Sequence, residues 1–257
     1  MPNTSHRTVT LFGLQLNSVS FKQAVDLLCQ QISCRPAKVV VTPNVDHLLS
    51  LSDDAELCTL YNTADFKFAD GMPLVWASKW LGAALPERVT GADLFVALCQ
   101  RAQARHWRVS IVGGLPGQEA MLTKRFEAVF PGLQVAIHCP AMGFDYRSAE
   151  ARDAVNWVNA SVPDIVFVCL GFPRQDLWSL TNRHRLDTGL VLCVGAAMEF
   201  ALGLKVRAPR WMQVNGLEWL WRLGSEPRKL WRRYLLSGPR FITLVIREWR
   251  SPRKPGL

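Results

Sequence analysis

The chain has 257 residues, enough for a large core, and a formal net charge of +9 that is unevenly distributed. Residues 205–257 carry 13 Lys and Arg against 3 Asp and Glu, whereas residues 1–204 carry 17 against 18. No run of about 18 apolar residues occurs, which argues against a membrane-spanning helix.

Seven scattered cysteines, with no CxxC pair, are typical of free thiols in a reducing cytoplasm. The first residues, MPNTSHRTVTLFG, lack the apolar run of a signal peptide. We therefore expect a cytoplasmic protein, and one that lies on a membrane if it contacts one.

The first elements are predicted from hydrophobic spacing. Residues 8–16 alternate as a β-strand does, and Ser18 or Ser20 can cap a helix that follows. Residues 38–41 read as a buried strand. Thr42 then Pro43 resemble a helix cap followed by proline at the first helical position.

Polar residues at this strand end have two possible roles. Thr42 and Asn44 either serve only to cap the helix or bind a ligand, since strand-to-helix junctions in parallel sheets are common ligand sites. The residues alone leave both roles open.

A short β-type run ends at Asp70 and Gly71, where glycine permits a sharp turn that displays the carboxylate. Arg88 follows, and then Thr90 and Gly91 lead into another predicted helix. Asp70 is either an ordinary turn aspartate or a catalytic base, and Arg88 is a candidate cation for phosphate.

Strands and helices then alternate, with glycines at the turns between them. This order predicts an α/β fold with a largely parallel, Rossmann-like sheet and helices on both faces. The turn glycines are candidate phosphate-binding positions, although such turns also occur for purely geometric reasons. They are Gly113, Gly114, Gly143, Gly171 and Gly195.

The basic tail predicts a second unit, so we expect a catalytic core at 1–204 and a helical appendage at 205–257. Its helical blocks are separated by Gly224-Ser225, by Pro227 and by Gly238-Pro239. In the last block the residues Phe241, Leu244, Val245 and Trp249 share one face.

Five of the ten tryptophans lie in this tail, a composition typical of contact with anionic membranes or nucleic acid. A solvated helix pair packed on the core through its tryptophans is the alternative.

Several classes of enzyme are disfavoured by absent motifs. There is no GxSxG elbow, Walker loop or HExxH, and the five histidines show no ligand spacing, so we predict no metal site. The missing dinucleotide fingerprint argues against an oxidoreductase.

Six motifs in order resemble the WecG/TagA/CpsF family of bacterial glycosyltransferases (glycosyltransferase family 26), over about residues 10–235. They are VTPNVDHL at 41–48, FADGMPLV at 68–75, ERVTGADL at 87–94, VGGLPG at 112–117, LGFPRQDLW at 170–178 and RAPRWMQVNGLEWLWRLGSEPRKLWRRY at 207–234. Residues 236–257 extend beyond these motifs and are interpreted as an additional interfacial helix.

The resemblance implies an inverting, metal-independent glycosyltransferase without a cofactor, of hexosyl or N-acetylhexosaminyl type. Its donor would be a nucleotide-diphosphate sugar, usually a UDP-sugar, and its acceptor a polyprenyl-diphosphate-linked saccharide used for cell-surface polysaccharides such as exopolysaccharide. The protein would be peripheral, at the cytoplasmic face of the inner membrane and on its anionic surface, without a nucleic-acid partner and with a homo-oligomer possible.

The resemblance also implies roles for particular residues. The proposed base falls on Asp70, which could instead only orient a substrate hydroxyl. The pocket residues fall on Thr42, Asn44, Arg88 and Gln175, and the appendage arginines that reach the diphosphate fall on Arg222, Arg228 and Arg232. These types suit the chemistry, which needs one base and cations for the leaving diphosphate. The alternative from another class is a non-catalytic nucleic-acid-binding or scaffolding protein that uses the basic tail.

Overall fold

A computed structural model describes residues 7–225 and 227–251, with side chains also omitted at 214, 222, 228–230 and 232–235. The predicted α/β class is confirmed: a parallel six-stranded sheet has the strand order β4-β3-β8-β7-β5-β6. Its strands are β3 (Lys38–Val41), β4 (Phe66–Lys67), β5 (Val109–Gly113), β6 (Val135–His138), β7 (Ile165–Cys169) and β8 (Leu190–Cys193). A separate antiparallel hairpin joins β1 (Thr8–Leu11) to β2 (Leu14–Asn17).

Helices cover both faces of the sheet, because successive strand residues point to opposite sides. Val40 packs with one layer, formed by α1 (Phe21–Cys29), α5 (Gly91–Arg105), α6 (Glu119–Val129) and α9 (Ala197–Ala201). Val39 and Val41 pack with the other layer. That layer comprises α2 (Val45–Asp53), α3 (Ala55–Asn62), α4 (Met72–Trp80), α7 (Ala149–Ser161) and α8 (Arg174–Asn182).

The start of α1 is as predicted, but the start of α2 is not. Ser20 caps α1 and accepts a hydrogen bond from the backbone N–H of Gln23. Pro43 is outside α2, which begins at Val45 with Asn44 as its cap, so the prediction of Thr42 as cap was wrong. The Pro43 carbonyl instead accepts a hydrogen bond from the Asp70 backbone N–H, which joins the loops that follow β3 and β4.

The tail forms α10 (Arg210–Val214), α11 (Glu218–Ser225) and α12 (Pro227–Arg250). The predicted break at Gly238-Pro239 is wrong, since α12 continues through Pro239. Proline inside a helix costs about 3 kcal/mol, and packing of the same turns against the core offsets it. Arg240 forms an ion pair with Asp53 at 2.7 Å, and Phe241 packs on Phe12.

The predicted apolar face of α12 is confirmed for Phe241, Leu244 and Val245, which pack on the core. Trp249, one turn beyond Val245 on the same side of the helix, is exposed and stacks on Trp80 of α4. In the described part of the chain, no helix is long and apolar enough to cross a membrane.

Candidate active site

A cavity of about 780 Å³ lies at the carboxyl edge of the sheet, where the loops after β4, β3, β8 and β7 meet. This volume is in the usual range for a small-molecule site. Most of the predicted site residues with described side chains line it: Thr42, Asn44, Asp70, Arg88, Gly171, Gln175 and Gly195. Residues from four strand ends therefore converge on one space.

Asp70 follows β4 and is held by the loop that it forms. Gly71 has a φ of +138°, which confirms the turn for which glycine was predicted. The Asp70 carboxylate accepts a hydrogen bond from the Gly91 backbone N–H at 3.3 Å, at the start of α5. Asp70 is thus fixed between two loops and lines the cavity.

Burial raises the pKa of Asp70 to about 6. The positive charge of Arg88 and the hydrogen bond from Gly91 oppose this effect, whereas the negative charges of Glu218 and Asp93 add to it. A carboxylate with a pKa near 6 is mostly ionised at neutral pH and is a stronger base than an ordinary aspartate.

Arg88 connects the core to the tail. Its guanidinium donates to the Glu218 carboxylate at 3.0 Å, at the first residue of α11. Arg207 donates to Asp93 at 2.6 Å and contacts the other Glu218 oxygen at 3.4 Å. Two arginines and two acids therefore form one network beside Asp70, and it joins residues before and after position 204.

Asn44 is both a helix cap and a cavity residue. Its side-chain oxygen accepts hydrogen bonds from the backbone N–H groups of Asp46 at 3.0 Å and His47 at 3.3 Å. The capping alternative is thus correct for this oxygen, while the residue still lines the cavity. Thr42 is buried and also lines the cavity, with its hydroxyl oxygen next to Gly91.

Gln175 joins the loops after β7 and β8. Its side-chain oxygen accepts from the backbone N–H groups of Gly171 at 3.2 Å and Gly195 at 2.9 Å. Both glycines have positive φ, at +75° and +55°. Gln175 therefore shapes the cavity wall by fixing two turns.

The other predicted glycines lie outside the cavity. Gly113 is the last residue of β5, Gly114 follows it, and Gly143 lies in the loop after β6; these two strands are on the far side of the sheet. A Cβ on Gly113 would lie 2.6 Å from the Cβ of Cys169, so close strand packing accounts for this glycine.

The tail supplies one wall of the cavity through Gly216, Glu218, Trp219, Ser237, Gly238 and Phe241. The side chains of the predicted residues Arg222, Arg228 and Arg232 lie outside the described residues. Their backbone positions fall within α11 and α12.

The sequence predictions missed Glu218, Arg207 and His47 as cavity residues. Glu218 carried a usable signal, because it is one of only three acidic residues in a strongly basic segment. The His47 ring packs on Phe172, with 4.1 Å between ring centroids, and this contact depends on tertiary structure. Among the residues that the structure describes, no group of three or more His, Cys, Asp or Glu could hold a metal ion.

Comparison with known proteins extends the resemblance beyond the predicted limit. The profile of the "Glycosyl transferase WecG/TagA/CpsF family" matches residues 9–255, so residues 236–255 belong to the family pattern and are not an addition to it. A Bacillus spizizenii (strain ATCC 23059 / NRRL B-14472 / W23) protein is 31% identical over 216 residues, which is 84% of this chain and 81% of the relative. It is named N-acetylglucosaminyldiphosphoundecaprenol N-acetyl-beta-D-mannosaminyltransferase. The chain therefore belongs to the WecG/TagA/CpsF family of glycosyltransferases.

Proposed function

We propose that this glycosyltransferase moves an N-acetylhexosamine-type sugar from a UDP-sugar to a saccharide carried on polyprenyl diphosphate. The observation that carries the proposal is the Asp70 carboxylate, which lines the cavity beside a network containing Arg88 and Arg207. The acceptor class is supported by the relative's name, which describes a diphosphoundecaprenol-linked sugar. Family membership favours this enzymatic function over the alternative of a nucleic-acid-binding protein.

The reaction is an inverting displacement in which Asp70 acts as the base. The acceptor hydroxyl oxygen attacks C1 of the donor sugar while its proton moves to the Asp70 carboxylate. The bond between C1 and the diphosphate oxygen breaks, and the electron pair remains on the diphosphate. Inversion is consistent with the β-linkage in the relative's name, given an α-linked donor.

Charge on the departing diphosphate needs compensation, and arginine is suited to it because its planar guanidinium binds phosphate oxygens in pairs. We assign this role to Arg88, which lines the cavity. The family resemblance assigns the same role to Arg222, Arg228 and Arg232, whose side chains lie outside the described residues. We assign Thr42, Asn44 and Gln175 to substrate positioning, since they line the same cavity.

The proposed location is the cytoplasmic face of the inner membrane, as a peripheral protein. A lipid-linked acceptor requires access to a bilayer, and α12 presents the exposed residues Ile242, Ile246 and Trp249 beside Arg247 and Arg250. Such a helix binds anionic interfaces through apolar contact and charge.

A thermal-shift and transfer experiment tests the function. UDP should raise the Tm of the full-length protein, because a ligand that binds only the native state stabilises it. Transfer from UDP-N-acetylhexosamines to a polyprenyl-diphosphate-linked sugar is then measured by product analysis. A protein that neither gains stability from UDP nor forms product with any of these donors would contradict the proposal.

A further inference from the structure

Helix α4 is apolar on two faces although only one of them is covered. Leu74, Val75 and Ala77 face the core and are buried. Trp76 and Trp80 are 48% and 59% exposed. A helix that is apolar all round is normally buried, so the outer face of α4 is an exposed apolar surface that calls for an explanation.

The exposed side chains form one line that begins at the cavity. Met72, Trp76 and Trp80 are four residues apart and so lie on one side of the helix. Met72 lines the cavity, and Trp80 is eight residues further, about 12 Å along the helix axis. We call Met72, Trp76, Trp80 and the adjoining Trp249 the aromatic stripe.

Both ends of the aromatic stripe are fixed by the tail. Near the cavity, a Cβ on Gly216 would lie 2.8 Å from the Cβ of Met72 and 2.8 Å from an indole carbon of Trp76, so the turn before α11 packs tightly on them. At the far end, Trp80 stacks on Trp249 with 5.9 Å between ring centroids. Trp249 is itself 59% exposed.

We propose that the aromatic stripe binds the hydrocarbon chain of the lipid-linked acceptor as it leaves the cavity. This inference rests on the proposed function. The acceptor's own diphosphate is bonded directly to the hydrocarbon chain, and the acceptor sugar must reach Asp70 inside the cavity, so the chain requires an apolar path out of the cavity. The aromatic stripe starts at the cavity wall and offers one, with flat indole faces that suit a polyisoprenoid.

The test compares two acceptors with the same diphosphate-linked sugar, one with a long polyprenyl chain and one with a single isoprene unit. The full-length protein is assayed in detergent solution at saturating donor. The variant Trp80→Ala/Trp249→Ala alters only the distal end of the aromatic stripe, which the short chain cannot reach. Its KM for the long-chain acceptor should rise about tenfold, because the lost binding free energy is about that of burying one apolar side chain. Its KM for the short-chain acceptor should not change.

Met142→Ala is the matched control, because Met142 is 77% exposed in the loop after β6, the strand at the opposite edge of the sheet from β4. It should leave both KM values unchanged. Trp80→Phe/Trp249→Phe keeps apolar rings and should retain most of the long-chain preference, which separates loss of contact from misfolding.

Equal changes in both KM values, or none, would overturn the aromatic stripe as a chain-binding surface. Loss of binding to phosphatidylglycerol vesicles with an unchanged KM ratio would overturn it in favour of bilayer contact. Loss of a dimer in sedimentation velocity with an unchanged ratio would overturn it in favour of a second copy of the chain. A wild-type protein that glycosylates neither acceptor would overturn the proposed function, and this inference with it.

Discussion

The two halves of the sheet's carboxyl edge are similar in sequence pattern and different in what they build. The loops after β3, β4, β7 and β8 surround the cavity, whereas those after β5 and β6 do not line it. Each half contains strand-end glycines with positive φ, such as Gly171 in the first and Gly114 in the second. The strand order, not the local motif, therefore decides which turns line the cavity.

This contrast is sharpest at two aspartates. Asp70 follows β4 and lines the cavity, whereas Asp145 follows β6 and accepts a hydrogen bond from the Arg147 backbone N–H. Asp70→Asn should lower kcat by about 10² to 10⁴, the usual contribution of a general base. Asp145→Asn should leave kcat unchanged in the same transfer assay.

Folding of the Asp70→Asn variant provides its own check. Because burial raises the pKa of Asp70 to about 6, the ionised carboxylate destabilises the native state above that pH. The asparagine variant should therefore have a higher Tm than the wild type at pH 8, and the difference should shrink as the pH falls from about 6 towards the ordinary aspartate pKa of 3.8. Residual activity near the wild-type level in this well-folded variant would remove Asp70 as the base and favour a role in orienting substrate.

A smaller effect on kcat/KM is expected from substitution of Glu218, whose contacts join residues before and after position 204. Its carboxylate helps to raise the pKa of Asp70, and it pairs with Arg88. In the wild type, kcat/KM should fall with decreasing pH below about 6, because protonation removes the base. Glu218→Gln should move this acidic limb to lower pH and reduce kcat/KM by about tenfold or less, since charged hydrogen bonds contribute about 1.5–3 kcal/mol and glutamine keeps part of the contact.

Glu248→Gln, in the last turns of α12, is the matched control and should leave the acidic limb in place. The groups that act on Asp70 are Arg88, Glu218, Asp93 and the Gly91 N–H. A Glu218→Gln variant with reduced Tm but an unmoved acidic limb would show that Glu218 only holds the tail to the core.

The sequence was sufficient for the fold class and for seven of the residues that line the cavity. Strands and helices alternate with clear periods, and Asp70-Gly71 is a local turn signal that the structure confirms. The family resemblance brought together Thr42, Asp70 and Gln175, which are far apart in the chain and line the same cavity.

Local sequence patterns were insufficient where distant parts of the chain decide the structure. Gly113 and Gly171 share a strand-end pattern, but the strand order puts only Gly171 at the cavity. The residue type of Pro239 predicts a helix break, whereas docking of α12 on α2 keeps the helix continuous. The Arg88 to Glu218 pair spans 130 residues and has no local signal.

The smallest expected effect on activity distinguishes the two halves most directly. Gly113 has a φ of +152° and no room for a Cβ against Cys169, so Gly113→Ala should lower the stability by at least about 1–2 kcal/mol while the surviving native protein keeps its kcat.

A Cβ on Gly171 meets no atom within 4 Å and would lie beside the cavity. Gly171→Ala should carry a similar backbone cost, from its φ of +75°, and should also raise the KM for the donor. Denaturant unfolding and steady-state kinetics on both variants separate the two contributions. If Gly113→Ala instead raised the donor KM without loss of stability, the loop after β5 would belong to the binding site and the contrast between the halves would be wrong.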